Sequence, residues 1–102
     1  MSEEIREITP EQLEQDLDSG KYEVVDVRED EEVAGGMIPG AKHVVLGSIP
    51  ERLDEFDQNK EYVMVCRSGR RSYNASQYLQ ENGYNVHNLK GGMLEWKGDV
   101  IA

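Results

Sequence analysis

The run EYVMVC, residues 61–66, constrains the fold more than any other stretch of the chain. It is the most apolar strand candidate, and it ends on the only cysteine. An uninterrupted apolar run of this kind fits a strand buried on both faces, at the centre of a sheet rather than at its edge. Arg67, Ser68, Gly69, Arg70, Arg71 and Ser72 follow directly, and they include three of the eleven basic side chains. From about Arg70 to Asn82 the pattern is helical, closed by Gly83. A strand that turns through a glycine into a helix is the kind of junction where open α/β sheets hold ligands, beyond the carboxyl ends of the strands.

The remaining apolar runs alternate with amphipathic stretches. Thr9, Pro10 and Gln12 open a helix with a hydroxyl cap, a proline in the first turn and a capping-box partner. Leu13 and Leu17 form its buried stripe, and Gly20 ends it. YEVVDVR, 22–28, reads as a strand, and EDEEVAGG, 29–36, as one helical turn and a loop. AKHVVLG, 41–47, is a third apolar run. Ser48 and Glu51 form a second capping box, for a helix expected to reach about Phe56. NVHNL, 85–89, is a further strand, and GGMLEWK, 91–97, a short terminal helix capping the core with Met93, Leu94 and Trp96. Strands alternating with helices predict a parallel sheet covered on both faces.

At 102 residues the chain is one domain, 1–102, large enough for a single core. A lone cysteine excludes an internal disulfide. No stretch approaches 18 apolar residues, and MSEEIREITPEQ lacks the basic start and apolar block of a signal peptide. A cytoplasmic monomer is the expectation. The net charge of −10 opposes binding to nucleic acid. That charge is uneven: residues 1–61 hold 18 acidic and 6 basic side chains, residues 62–102 hold 3 and 5. The positive excess is mostly Arg67, Arg70 and Arg71, which suits a small anion. His43 and His87 have no partner at metal-ligand spacing, so both are read as structural and no metal is expected.

A thiolate is a nucleophile where a thiol is not. A helix N-terminus with nearby cations lowers a cysteine pKa from about 8.5 to roughly 3.5–7.5. Gly69 lets the loop after Cys66 turn its amides inward, and Ser68 and Ser72 add hydroxyl donors. The pattern therefore predicts a cup of N–H groups around an ionised Cys66 sulfur. The plainer alternative is a small buried hydrophobe at a strand end, followed by a solvated helix start. Against it, each cation at a helix N-terminus opposes the dipole by roughly 0.3–1 kcal/mol.

Four segments together resemble the single-domain rhodanese family of sulfurtransferases: VVDVRED (24–30), EVAGGMIPGAKHVVL (32–46), CRSGRRS (66–72) and GYNVHNLKGGMLEW (83–96). The resemblance covers nearly the whole chain. It implies a rhodanese-like α/β domain, a parallel sheet of about five strands with helices on both faces. It also implies sulfur transfer without a cofactor, through a persulfide on Cys66. The donor would be a small anionic compound such as thiosulfate. The acceptor would be a thiol or cyanide, or a partner protein in a sulfur relay. Arg67 to Ser72 would hold the persulfide's charge, with Arg67, Arg70 and Arg71 drawing in the donor. Met37 stands where the family often has histidine. Asp26 and Arg28 match the family's Asp-x-Arg and are read as a structural ion pair. Two rivals remain. One is a cysteine phosphatase or arsenate reductase, though the phosphatase pattern needs five residues between cysteine and arginine, and here Ser72 holds that place. The other is a catalytically weak module of the same fold that carries or senses sulfur or binds a protein. A dithiol oxidoreductase lacks its second cysteine.

Overall fold

The computed structural model describes residues 4–102, so residues 1–3 of the expected domain, which begin the MSEEIREITPEQ stretch, lie outside the described residues. Five strands form one sheet: β1 (Glu7–Ile8), β2 (Glu23–Asp26), β3 (Lys42–His43), β4 (Glu61–Val65) and β5 (Asn85–Leu89), in the order β1-β5-β4-β2-β3. Every pairing is parallel. β4 lies at the centre between β2 and β5, as its apolar run requires.

The pleat divides β4 between two cores. Tyr62, Met64 and Cys66 join Val25, Phe56, Ala75, Leu79 and Val86 on one face. Val63 and Val65 join Leu13, Ile38, Leu89 and Trp96 on the other. Helix α1 (Pro10–Asp16) and the terminal 3₁₀ turn Gly92–Leu94 cover the second face through Leu13 and Trp96. Helix α3 (Arg70–Glu81) covers the first through Ala75 and Leu79. Helix α2 (Asp30–Val33) is a single turn after β2.

The first capping box forms as read: the Gln12 amide donates to Thr9 Oγ1 at 3.2 Å, and the Thr9 amide to Gln12 Oε1 at 3.0 Å. The second does not. Ser48 Oγ donates back to the Val45 carbonyl at 2.8 Å, and the segment breaks into 3₁₀ turns at Leu46–Ser48 and Pro50–Glu55. Pro50 has no amide hydrogen to continue a helical ladder across the break. The 41–47 run narrows to Lys42–His43, although the Val44 and Leu46 amides still donate to the Asp26 and Val27 carbonyls. Met93 and Trp96 face the core, but Leu94 is 58% exposed. Met37 pairs by backbone with Ile101, which closes the C-terminal segment onto the glycine-rich loop. Among the described residues no helix is long and apolar enough to cross a membrane.

Candidate active site

Cys66 follows the last residue of β4, and Gly69 caps α3 with φ of +97°, a conformation open to glycine but strained for other residues. Between them the chain makes a tight loop around the sulfur. The Gly69 amide donates to Cys66 Sγ at 3.1 Å, and the Ser72 hydroxyl lies 3.3 Å from it. α3 has no side-chain cap, so the free amides of its first turn point back toward the loop.

The amides face inward because the carbonyls are held elsewhere. The Cys66 carbonyl accepts from the Met93 amide at 2.9 Å and the Arg67 carbonyl from the Leu94 amide at 3.0 Å. The Gly69 carbonyl accepts from the Tyr73 amide and from Asn88 Nδ2, the latter at 2.9 Å. Gly92 allows this approach. A Cβ there would stand 2.5 Å from the Cys66 oxygen and 2.6 Å from the Arg67 oxygen, at a φ of +60°. Gly92→Ala is therefore expected to lose at least about 2 kcal/mol of stability, from left-handed strain plus displaced loop backbone. Denaturant melts check this, and a wild-type midpoint would count against the clamp.

Cys66 is fully buried. Burial pushes its thiol pKa up. The Ser72 hydroxyl and the amides of Ser72, Gly69 and Ser68 outweigh that and hold it below the ordinary value. Gly69 and Ser72 are buried with it, while Arg67, Ser68 and Arg70 are exposed. Arg71 turns away to α2, where both terminal nitrogens meet the Glu32 carboxylate at 2.7 Å. That fork holds the Glu32 carboxyl at about 2 and raises Arg71 further. It also relieves a cation that would otherwise oppose the α3 dipole. Among the described residues Arg67 and Arg70 form no ion pair.

Asp26 and Arg28 support the neighbouring strand end. Arg28 Nε and a terminal nitrogen grip the Asp26 carboxylate at 2.9–3.1 Å, and the same guanidinium donates to the Gly36 carbonyl at 2.8 Å. His43 Nε2 donates to the Arg28 carbonyl at 2.6 Å, and His87 Nε2 meets Glu61 at 3.1 Å. Among the described residues no group of three or more His, Cys, Asp or Glu is placed to hold a metal.

Three participants escaped the reading of the sequence: Asn88, Gly92 as a carbonyl clamp, and Glu32. An asparagine beside the apolar end of a strand and a Gly-Gly pair just beyond it were the available signals. Nothing in the sequence pairs Glu32 with Arg71 across 39 positions.

The model of the rhodanese-like domain matches residues 9–99. The chain belongs to the rhodanese-like family. Its relatives include YtwF of Bacillus subtilis, 47% identical over 98 residues, covering 95% of each chain. The thiosulfate sulfurtransferase GlpE of Pseudomonas aeruginosa is 33% identical over 98 residues, covering 95% of this chain and 88% of its own. The crystal structure of a rhodanese-like domain protein from Staphylococcus aureus superposes with a TM-score of 0.88 at 40% identity, covering 93% and 94%. The five-stranded parallel sheet is thus that of a rhodanese-like domain, and family membership supports sulfur transfer.

Proposed function

We propose that this rhodanese-like domain moves a sulfane sulfur from a small anionic donor such as thiosulfate to a thiophilic acceptor, through a persulfide on Cys66. The observation that carries the reading is the Gly69 amide aimed at Sγ from 3.1 Å, in a loop whose carbonyls are tied back. Amide dipoles so placed favour negative charge at the sulfur.

The Cys66 thiolate attacks the outer sulfur of thiosulfate. The new S–S bond forms as the donor's S–S bond breaks, and sulfite leaves with the electron pair. The charge of the persulfide lies on its outer sulfur, where the amides of Arg67 to Ser72 would hold it. A thiolate or cyanide then attacks that outer sulfur and the Cys66 thiolate leaves, restoring the start. Atoms and electrons balance without an added oxidant. This is covalent catalysis, one displacement split into two. Exposed Arg67 and Arg70 would attract the anionic donor. Arg71, held by Glu32, would contribute to the field rather than to direct binding.

The phosphatase reading loses support on the same geometry. The arginine nearest the required place is Arg71, which is one residue early and turned to Glu32. A second reading does have an observation in its favour. Arg67, Ser68 and Arg70 stand exposed around the buried sulfur, which suits a carrier that docks a partner protein on that rim and passes its sulfur on. The two readings differ in turnover, since a carrier loads without releasing repeated thiocyanate when cyanide is supplied.

Incubation with thiosulfate followed by mass spectrometry tests the central step. One added sulfur atom, located on Cys66, is expected; an unchanged mass overturns the reading.

A further inference from the structure

Asn88 is 1% exposed and lies on β5, away from the cysteine loop in sequence. Its amide nitrogen donates to the Gly69 carbonyl at 2.9 Å and to Glu7 Oε2 on β1 at 3.1 Å. Both donor contacts fix the orientation of the amide, so its oxygen faces Ser72. The Ser72 hydroxyl lies within hydrogen-bond reach of that oxygen and, at 3.3 Å, of Cys66 Sγ. A serine hydroxyl has one hydrogen and cannot serve two acceptors fully. Asn88 Oδ1 and the sulfur therefore compete for it.

We propose that Asn88 is a positioning residue for sulfur transfer: it ties the Gly69 carbonyl away from the sulfur and gives the Ser72 hydroxyl a second acceptor. With a neutral thiol, Ser72 donates to Asn88 and can accept from the S–H. With a thiolate, the hydroxyl turns to the sulfur. Once a persulfide forms, charge moves to the outer sulfur and the hydroxyl returns to Asn88. No proton is transferred in this exchange; one O–H bond rotates. The buried hydroxyl is satisfied in each state, while the thiolate state leaves the buried Asn88 Oδ1 without the Ser72 donor, and that cost is what sets Asn88 against the sulfur. The inference rests on Cys66 being the sulfur carrier, but its test reads ionisation rather than turnover, so each can fail without the other.

The charged groups on the elements around this cluster are Glu7 on β1, Arg67 on the loop, Arg70 and Arg71 on α3, and Glu95 beside Gly91. The variants below leave all of them in place. Asn88→Leu removes the competing acceptor, so the thiolate keeps the Ser72 bond uncontested. The Cys66 pKa, followed by thiolate absorbance, is expected to fall by roughly half a pH unit. In a Ser72→Ala background the same substitution, which still frees the Gly69 carbonyl, should not lower the pKa, because the lowering runs through the hydroxyl. A pKa that rises in Asn88→Leu, or a fall that persists without Ser72, overturns the proposal and leaves Asn88 a loop support only. Should Asn88→Leu fail to fold, the Asn88 side-chain carbonyl resonance decides. It is expected to shift with thiol titration in wild type and not in Ser72→Ala. A resonance indifferent to the titration overturns the proposal.

Discussion

Cys66→Ala is expected to abolish sulfur loading and reduce transfer to background while leaving the fold in place. The substitution removes one sulfur atom from a buried site, which costs about 1 kcal/mol in lost packing. The chemistry has no substitute. No other cysteine exists, and an alanine methyl cannot be a nucleophile. Cys66→Ser keeps the shape and a hydrogen-bonding atom but not the ionisation, since a hydroxyl without an adjacent base is a weak nucleophile. It should be equally inactive. Assays with thiosulfate and cyanide, run beside a thermal melt, check both variants. Transfer persisting in either would remove Cys66 from the mechanism.

The largest stability effect is expected at Asp26, not at the sulfur. Asp26 is 1% exposed and Arg28 is 7% exposed. Among the described residues, Asp26→Ala would leave the guanidinium with the Gly36 carbonyl as its one hydrogen-bond partner, its charge unpaired in the interior. Breaking a buried pair this way typically costs about 3–5 kcal/mol. Most single domains hold only about 5–15 kcal/mol in total, so the variant would be mostly unfolded in mild denaturant. Removing both charges should hurt less. Asp26→Leu combined with Arg28→Met is expected to recover much of the loss, because it leaves no unpaired charge. A melt in which Asp26→Ala matches wild type would mean that the pair is solvated and structurally idle.

The legible parts of the fold were those carried by long local patterns. The Val63-Met64-Val65 run fits a central strand better than an edge, and α3 filled its expected span to within a residue of Glu81. Thr9 and Gln12 announced α1 because both halves of a capping box lie within four residues. What failed was short or depended on distant contacts. β1 has two residues, too few for any periodicity, and exists because Glu7 and Ile8 register against Asn88 and Leu89. Ser48 and Glu51 carry the capping spelling, but the Ser48 hydroxyl is committed backward to the Val45 carbonyl. Leu94 has an apolar side chain, yet its amide is committed to the Arg67 carbonyl and its side chain faces out.

The candidate site divides the same way. Cys66, Gly69 and Ser72 gather at the sulfur because loop and helix start are continuous in sequence. Arg71 is turned instead to the Glu32 carboxylate on α2, a partner 39 positions away in sequence. The outward carbonyls are set by the 92–94 turn and by Asn88, and neither contact has a local spelling. The amide cup was thus foreseeable from the glycine turn, whereas the reason it stays open inward required the third dimension.

The field of those amides at the sulfur is measured most directly by titration of the Cys66 thiol. Thiolate absorbance followed against pH needs no assumed donor or acceptor, and the single cysteine makes the signal unambiguous. Because the folded thiol ionises below its unfolded value, the thiolate also favours the fold. That contribution is fully present above about pH 8.5 and is lost as pH falls through the folded value. Half-ionisation clearly below about 8.5 is the predicted result. A midpoint at or above that value would show that burial wins over the amides, and would contradict the account.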